Sequence, residues 1–145
     1  MIEKKASAHW EGPGKTGRGR ISTETGHLKD LPYTAASRFE NDTKPTNPEE
    51  ILGAAHAACF TMAFAFACEK AGFQVADADT TAAVRLAKET EGFKIDRIAL
   101  TLEARVPGLD EAKFRELAEG AKKGCPLSKA LAAVPEITLQ ATLRA

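Results

Sequence analysis

The chain of 145 residues has no excess of charge of either sign, because 20 Lys and Arg balance 20 Asp and Glu. It therefore lacks the electrostatic attraction with which basic proteins bind nucleic acids or anionic membranes. Aromatic residues are also few, with one Trp, one Tyr and seven Phe. None of them is interleaved with the basic turn GPGKTGRGR at residues 12–20, which disfavours a nucleic-acid-binding protein.

Several motifs of cofactor and metal proteins are missing. The three cysteines form no Cys-x-x-Cys pair, which excludes a thioredoxin motif and a paired zinc knuckle. The segment GPGKT resembles half of a phosphate-binding loop, but His9 stands where the first glycine of the motif is required. The first ten residues are charged and contain no apolar segment of a signal peptide, so we expect a cytoplasmic protein with reduced thiols and no metal.

The hydrophobic pattern predicts an α+β protein of a single domain, residues 1–145. Strands are expected over about residues 3–40, although 31–40 has an extended or irregular pattern. Asn47 and Pro48, followed by two acidic residues, predict the start of a long helix over about 48–71. Period-two alternation predicts strands within 75–106 and 137–144, and apolar residues three to four apart predict helices within 110–133. This order differs from repeated βαβ units.

The long predicted helix contains an uncharged apolar segment, Ile51–Cys68, whose length is close to that of a membrane span. Its high alanine content, its polar residues and its position between strands disfavour a membrane location. A helix that is apolar on every side is otherwise fully buried. One small domain rarely surrounds a helix of about 36 Å, so we expect a homodimer in which two such helices share a core.

The three thiols differ in local context. Cys59 and Cys68 point to opposite faces of the predicted helix, about 13 Å apart along its axis, and cannot pair with each other. Cys125 precedes Pro126 at a predicted helix N-terminus, which favours a reactive thiol, whereas apolar surroundings should raise the pKa of Cys59 unless a cation lies against it. Local sequence alone therefore favours Cys125 as the nucleophile. His56, three residues before Cys59, is either a core histidine or a base for that thiol.

Four segments resemble the OsmC/Ohr family, which comprises osmotically inducible protein C and the organic hydroperoxide resistance proteins. They are AHWEG (8–12), TNPEEILGAAHAACF (46–60), RIALTLEARVPGLD (97–110) and GCPLSKAL (124–131). The resemblance covers essentially the whole chain, and AHWEG and PYTAASRFE are more similar to the OsmC branch. It implies an OsmC-like intertwined homodimer, whose long central helices are buried between antiparallel or mixed sheets built by both chains.

The resemblance also implies a thiol-dependent peroxidase without haem, flavin or metal, active in oxidative and osmotic stress. It would reduce organic peroxides, and hydrogen peroxide more weakly, with Cys59 as the peroxidatic and Cys125 as the resolving cysteine of one disulfide. Arg38 and Glu49 would assist. Glu49 lies about 15 Å from Cys59 along a straight helix, so it is expected to act through Arg38 across the dimer interface. The expected reductant is a dithiol, such as the lipoyl group of a lipoylated protein.

Two other functions stay open for the same sequence. One is a thiol redox sensor that forms the disulfide but turns over slowly, and the other is a ligand-binding dimer with inert buried thiols. Peroxide consumption with a dithiol separates the sensor from the enzyme, and titration of the native thiols tests the binding protein. The roles of Cys68, which lies outside the family's pattern, and of His56 are also open.

Overall fold

The computed structural model describes all 145 residues. The elements are β1 Ala6–Glu11, β2 Arg18–Thr23, β3 Leu31–Tyr33, α1 Ala35–Phe39, α2 Pro48–Lys70, β4 Asp77–Lys88, β5 Phe93–Arg105, α3 Glu111–Gly124, α4 Pro126–Ala130 and β6 Glu136–Leu143. The predicted α+β class is confirmed. Backbone contacts divide the chain into two units, Met1–Ile51 and Leu52–Ala145, which are described separately below.

The first unit contains an antiparallel sheet in the order β1-β2-β3. The rings of Trp10 and Tyr33 lie with their centroids 5.4 Å apart. Gly19 of β2 lies against this pair, and a Cβ atom there would overlap ring carbons of both Tyr33 and Trp10. Only glycine therefore fits beneath this aromatic pair.

The short helix α1 was not predicted, because residues 31–40 were expected to be extended or irregular. A capping box at Thr34 and Ser37 starts it: each side-chain oxygen accepts a hydrogen bond from the other residue's backbone N–H. Capping boxes usually carry Glu or Gln at the third helical position, so serine there gives a weak signal in the sequence. Helix α1 matters because it carries Arg38.

The long helix α2 begins where the sequence predicts it. Asn47 Oδ1 accepts a hydrogen bond from the backbone N–H of Glu50 at 2.8 Å, and Pro48 is the first helical residue. Glu49 and Glu50 lie in the first turn, where the helix dipole favours negative charge. The helix ends at Lys70, and Gly72 follows with φ of 92°, a conformation that glycine adopts without strain.

The second unit contains a mixed sheet in the order β4-β5-β6, in which β4 and β5 are antiparallel and β5 and β6 are parallel. On β5, alternate residues are fully or almost fully buried: Ile98, Leu100, Leu102 and Ala104. They join a core that includes Phe60 and Phe64 of α2 and Phe114 of α3. The helices α3 and α4 form the crossover that the parallel pairing of β5 and β6 requires.

One irregularity in β5 shifts the alternation of buried and exposed residues along the strand. Arg97 pairs with Arg85 and Ile95 pairs with Leu86, so Asp96 has no counterpart on β4. This extra residue is a bulge, and it explains why Ile95 is out of step with the buried residues that start at Ile98. Arg85 binds the Asp96 carboxylate at 2.7 Å and 3.1 Å, which lowers the pKa of Asp96.

Helix α2 has a buried face and an exposed apolar face in the single chain. Phe60, Phe64 and Cys68 are completely buried, whereas Met62 and Phe66 are 62% and 64% exposed. By length and composition α2 could cross a membrane, although the core helices of soluble proteins pass the same criteria. Within the single chain, 28% of its most apolar stretch is buried. We use the name α2 stripe for its exposed apolar residues Ala54, Ala55, Ala58, Met62, Ala65 and Phe66.

Candidate active site

Two of the three thiols lie side by side in the second unit. Cys59 is in the middle of α2 and is partly exposed, and Cys125 lies between α3 and α4 and is completely buried. They are close enough that the Cys125 thiol affects the pKa of Cys59. All three cysteines are free thiols, and Cys68 is packed into the core with no exposed surface. Of the two neighbouring sulfurs, solvent therefore has access only to Cys59.

The surroundings of Cys59 oppose ionisation of its thiol. Burial raises the pKa of Cys59, and the neighbouring Cys125 thiol raises it further, whereas the backbone N–H of Leu127 favours the thiolate and opposes both effects. The sequence predicts this raised pKa from the apolar character of the helix. A cation near the sulfur would stabilise the thiolate form.

Cys125 belongs to the connection between two helices, as the sequence predicts. It ends α3 and caps the N-terminus of α4, with Pro126 as the first residue of α4. The backbone N–H of Ser128 donates to Cys125 Sγ at 3.3 Å, and the Ser128 hydroxyl lies 3.2 Å from the same sulfur. Ser128 thus places a backbone N–H and a hydroxyl group against the buried thiol.

His56 does not hydrogen-bond to Cys59 as a general base, although its position in the sequence allows this. Its Nε2 lies 2.8 Å from the Ser128 hydroxyl, so the imidazole connects to Cys125 through Ser128. The His56 side chain is completely buried, and its Nδ1 has no hydrogen-bond partner. Burial lowers the pKa of His56, so the ring is neutral at pH 7.

The sequence contains part of the signal for this cluster. Cys125 and Ser128 are three residues apart across a helix start, a spacing at which an N-cap side chain meets the backbone N–H of the third helical residue. The contact from His56 to Ser128 spans 72 residues, and no periodicity links these two positions. Ser128 was therefore missed as a functional residue.

Arg38 and Glu49 form an ion pair in the first unit. Arg38 Nε lies 3.1 Å and 3.2 Å from the two oxygens of Glu49, and Nη2 lies 2.8 Å from Oε1. The Glu49 side chain is only 9% exposed, whereas that of Arg38 is 40% exposed. The carboxylate thus fixes one edge of the guanidinium, and Nη1 makes no hydrogen bond within the chain.

The side chains that the structure brings together form two groups. The first unit holds Arg38 with Glu49, and the second unit holds Cys59 with Cys125, His56 and Ser128. No group of three or more His, Cys, Asp or Glu residues lies close enough to hold a metal ion. The chemistry available in the second group is that of a thiol pair.

A family model described as OsmC-like protein matches residues 41–140. The chain belongs to the OsmC family. It is 50% identical over 143 residues to the peroxiredoxin OsmC of Escherichia coli, and the match covers 99% of this chain and 98% of that protein. It is 30% identical to the organic hydroperoxide resistance protein OhrB of Bacillus subtilis, over 84% of this chain and 88% of that protein.

A solved structure supports the OsmC fold. The organic hydroperoxide resistance protein OsmC of Legionella pneumophila superposes with a TM-score of 0.72 at 25% identity, over all of this chain and 98% of that one. The higher identity to the OsmC protein than to OhrB agrees with the predicted OsmC branch. The chain therefore has a soluble OsmC/Ohr-type fold, and the membrane interpretation of α2 is set aside.

Proposed function

We propose that this protein is a thiol-dependent peroxidase that reduces organic hydroperoxides to alcohols in defence against oxidative stress. The observation that carries the proposal is the proximity of a partly exposed Cys59 to a buried Cys125. A peroxide can reach the first thiol, and the second is placed to trap the product. The names of the OsmC and OhrB relatives support the same activity.

The reaction assigned to the pair has two steps. The Cys59 thiolate attacks one oxygen of the O–O bond, which breaks; the other oxygen leaves as an alkoxide, takes up a proton and departs as the alcohol. Cys59 is then a sulfenic acid. The Cys125 sulfur attacks the Cys59 sulfur, the S–S bond forms, the S–O bond breaks, and the hydroxyl leaves as water with the proton of the Cys125 thiol.

Arg38 and Glu49 are assigned supporting roles in the first step. Because the surroundings of Cys59 raise its pKa, a cation is needed to stabilise the thiolate and the developing alkoxide. Arg38 is the proposed cation, since its planar group can bind Glu49 with one edge and an anion with the other. Glu49 acts through Arg38 by holding it in one orientation.

We propose that the active form is a homodimer. In this dimer, a second copy of the protein packs against the α2 stripe. The stripe is a continuous surface of uncharged residues along the helix, and Met62 and Phe66 are its large members. Monomeric soluble proteins rarely leave such a patch exposed. Zero net charge adds no repulsion between two copies.

A cytoplasmic location and a dithiol reductant complete the proposal, with lipoyl groups of a lipoylated protein as the source of the dithiol. Both rest on the family resemblance. The reductant attacks the Cys59–Cys125 disulfide through a mixed disulfide, and its second thiol then releases the reduced enzyme. No haem, flavin or metal is required in this cycle.

The test is peroxide consumption with dihydrolipoamide as the reductant, on cumene hydroperoxide and on hydrogen peroxide. We expect wild type to prefer the organic peroxide, Cys59→Ser to be inactive, and Cys125→Ser to stop after one turnover. Cys68→Ser is the matched control, because it removes a thiol of the same helix that has no exposed surface. Slow consumption with rapid disulfide formation in the wild type would contradict the peroxidase and favour the redox sensor. A lack of reaction of the native thiols would favour the binding protein.

A further inference from the structure

His56 and Ser128 form a hydrogen-bonded chain that ends at the sulfur of Cys125. The chain runs from His56 Nε2 to the Ser128 hydroxyl over 2.8 Å and from that hydroxyl to Cys125 Sγ over 3.2 Å. A third contact, from the backbone N–H of Ser128 to the same sulfur at 3.3 Å, fixes the position of Ser128. Cys125 and His56 have no exposed surface, and Ser128 is 8% exposed.

The unpartnered Nδ1 of His56 indicates the direction of this chain. A neutral imidazole carries one hydrogen, on either Nδ1 or Nε2. If the hydrogen were on Nδ1, a buried N–H would have no acceptor, which is rarer in proteins than an acceptor without a donor. The hydrogen therefore belongs on Nε2, which donates to the Ser128 hydroxyl. The hydroxyl hydrogen is then available for Cys125 Sγ.

We propose that Ser128 holds two hydrogen-bond donors against Cys125 Sγ in the resolving step and stabilises negative charge on that sulfur, and that His56 is a positioning residue for Ser128. Hydrogen bonds to a charged atom are about twice as strong as those between neutral groups. Ser128 therefore stabilises this sulfur when it bears negative charge during the reaction. His56 does not touch the reacting sulfur, and acts by orienting the Ser128 hydroxyl.

The Cys125 sulfur bears negative charge in two steps of the proposed cycle, first when it attacks Cys59 and later when it leaves from the disulfide. In the resolving step, the Cys125 electron pair forms the S–S bond with Cys59, the S–O bond of the sulfenic acid breaks, and water leaves. In the recycling step, a thiolate of the dithiol reductant attacks Cys59, the S–S bond breaks, and Cys125 leaves with the electron pair. In the recycling step Ser128 stabilises Cys125 as the leaving group. In the resolving step its two donors hold the Cys125 sulfur in place and stabilise the negative charge with which it attacks. This inference rests on the proposed function for the resolving step only, because reduction of the disulfide needs no peroxidase activity.

The resolving step is measured by single-turnover oxidation with one equivalent of cumene hydroperoxide. Rapid quenching with dimedone and mass spectrometry separates formation of the sulfenic acid from closure of the disulfide. We expect Ser128→Ala to slow closure about tenfold or more, as the loss of one hydrogen bond to a charged atom predicts, while sulfenic acid forms within about twofold of the wild-type rate.

A pair of substitutions at His56 tests the donor role. Gln places an amide N–H at a distance from the backbone similar to that of Nε2 but is not a base, whereas Leu has no donor. We expect His56→Gln to close the disulfide within about threefold of wild type and His56→Leu to be slower by about fivefold or more. If Gln were as slow as Leu, the assigned direction of the chain would be wrong. If Ser128→Ala closed at the wild-type rate, the whole proposal would fail.

Thr61→Val is the matched control for lost packing and polarity. Thr61 lies on the same helix as His56, and its hydroxyl donates to Ala57 O and lies 2.6 Å from Thr80 Oγ1, without contacting the thiols. We expect this variant to lose some thermal stability and to close the disulfide at the wild-type rate. A comparable slowing in Thr61→Val would assign the effect of Ser128→Ala to general destabilisation and overturn the proposal.

The recycling step provides a readout that does not depend on peroxidase activity. The disulfide is formed with diamide, and its reduction by dithiothreitol is followed by acid quenching and mass spectrometry. We expect Ser128→Ala and His56→Leu to be reduced more slowly than wild type and His56→Gln to match it. If wild type failed to form a sulfenic acid with peroxide but showed this order, only the proposed function would fail. Equal reduction rates in all variants would contradict the proposed role of the hydrogen bonds that link His56, Ser128 and Cys125.

Discussion

The guanidinium of Arg38 binds the nearly buried carboxylate of Glu49 through Nε and Nη2 and makes no hydrogen bond through Nη1. The pair leaves one nitrogen of a fixed cation free to bind an anion. A lysine cannot reproduce this arrangement, because a single ammonium has neither two parallel donors on one edge nor a rigid plane. The pair therefore provides an immediate test of the assigned chemistry.

Arg38→Lys should slow the reaction of Cys59 with cumene hydroperoxide by about tenfold to hundredfold, since a positioned cation stabilises the thiolate and the transition state. Glu49→Gln should have a smaller effect in the same direction. The measurement is the single-turnover rate of sulfenic acid formation. Arg18→Lys is the matched control, because Arg18 binds Glu11 at 2.9 Å in the same unit while being 80% exposed. An equal loss in both Lys variants would remove Arg38 from the mechanism.

Removal of the Cys125 side chain should make Cys59 easier to ionise. Burial is the main cause that raises the pKa of Cys59, and the Cys125 thiol adds to it, so Cys125→Ala should lower that pKa. At a fixed pH below the midpoint, the thiolate fraction and the alkylation rate of Cys59 then increase. Alkylation by iodoacetamide is followed from pH 5 to pH 10 by mass spectrometry of the Cys59 peptide.

Cys68→Ala serves as the control for this pH profile, because its thiol makes no contact with the site pair. Its profile for Cys59 should match that of the wild type. A midpoint in Cys125→Ala that is unchanged or higher would show that the neighbouring thiol does not oppose ionisation of Cys59.

Met62→Glu should convert the proposed dimer to monomers. A carboxylate in the middle of the α2 stripe would be buried without a partner when two copies pair, at a cost of several kcal/mol. Sedimentation velocity measures the change, and peroxide consumption is recorded on the same samples. Ile2→Glu is the matched control, since Ile2 is an exposed apolar residue outside the stripe. A wild-type protein that sediments as a monomer would refute the assignment of the stripe.

Cys68 should reduce the stability of the fold at alkaline pH. Burial raises its pKa in the folded chain, so the folded state keeps the thiol proton at a pH where the unfolded chain has lost it. Its contribution is complete below the unfolded pKa of about 8.5 and decreases as the pH rises toward the folded value, by at most about 1.4 kcal/mol per pH unit. Urea denaturation at pH 7.5 and pH 10 gives the free energies of unfolding.

The comparison for this measurement is Cys68→Ala. That variant should be less stable than wild type at pH 7.5, because it leaves a small cavity, and the difference should shrink at pH 10. A difference that is constant with pH would mean that Cys68 does not contribute to the alkaline loss.

Features with a local physical cause were predictable from the sequence. The start of α2 follows from Asn47 and Pro48, and the buried residues of β5 follow from alternation between Ile98 and Ala104. The bulge at Asp96 could be seen only as a break in that alternation, because its cause is the pairing register with β4. Helix α1 was missed because Ser37 replaces the usual Glu or Gln of the capping box.

The site could be predicted in part. Cys59 and Cys125 are each recognisable from the family's motifs, but their contact depends on how α2, α3 and α4 pack. The connection of His56 to Ser128 was not predictable, since the two residues are 72 positions apart and no sequence pattern links them. Sequence spacing left His56 open as a core histidine or a base for Cys59, whereas packing places it against Ser128, which contacts Cys125.

The difference in exposure between Cys59 and Cys125 also affects how the protein withstands an excess of its own substrate. A sulfenic acid that meets a second peroxide becomes a sulfinic acid, which ordinary thiols do not reduce. In the proposed cycle only the partly exposed Cys59 meets this second peroxide, and the buried Cys125 lies close enough to close the disulfide first. The proximity of the two sulfurs therefore sets the peroxide dose at which irreversible inactivation begins to compete with turnover.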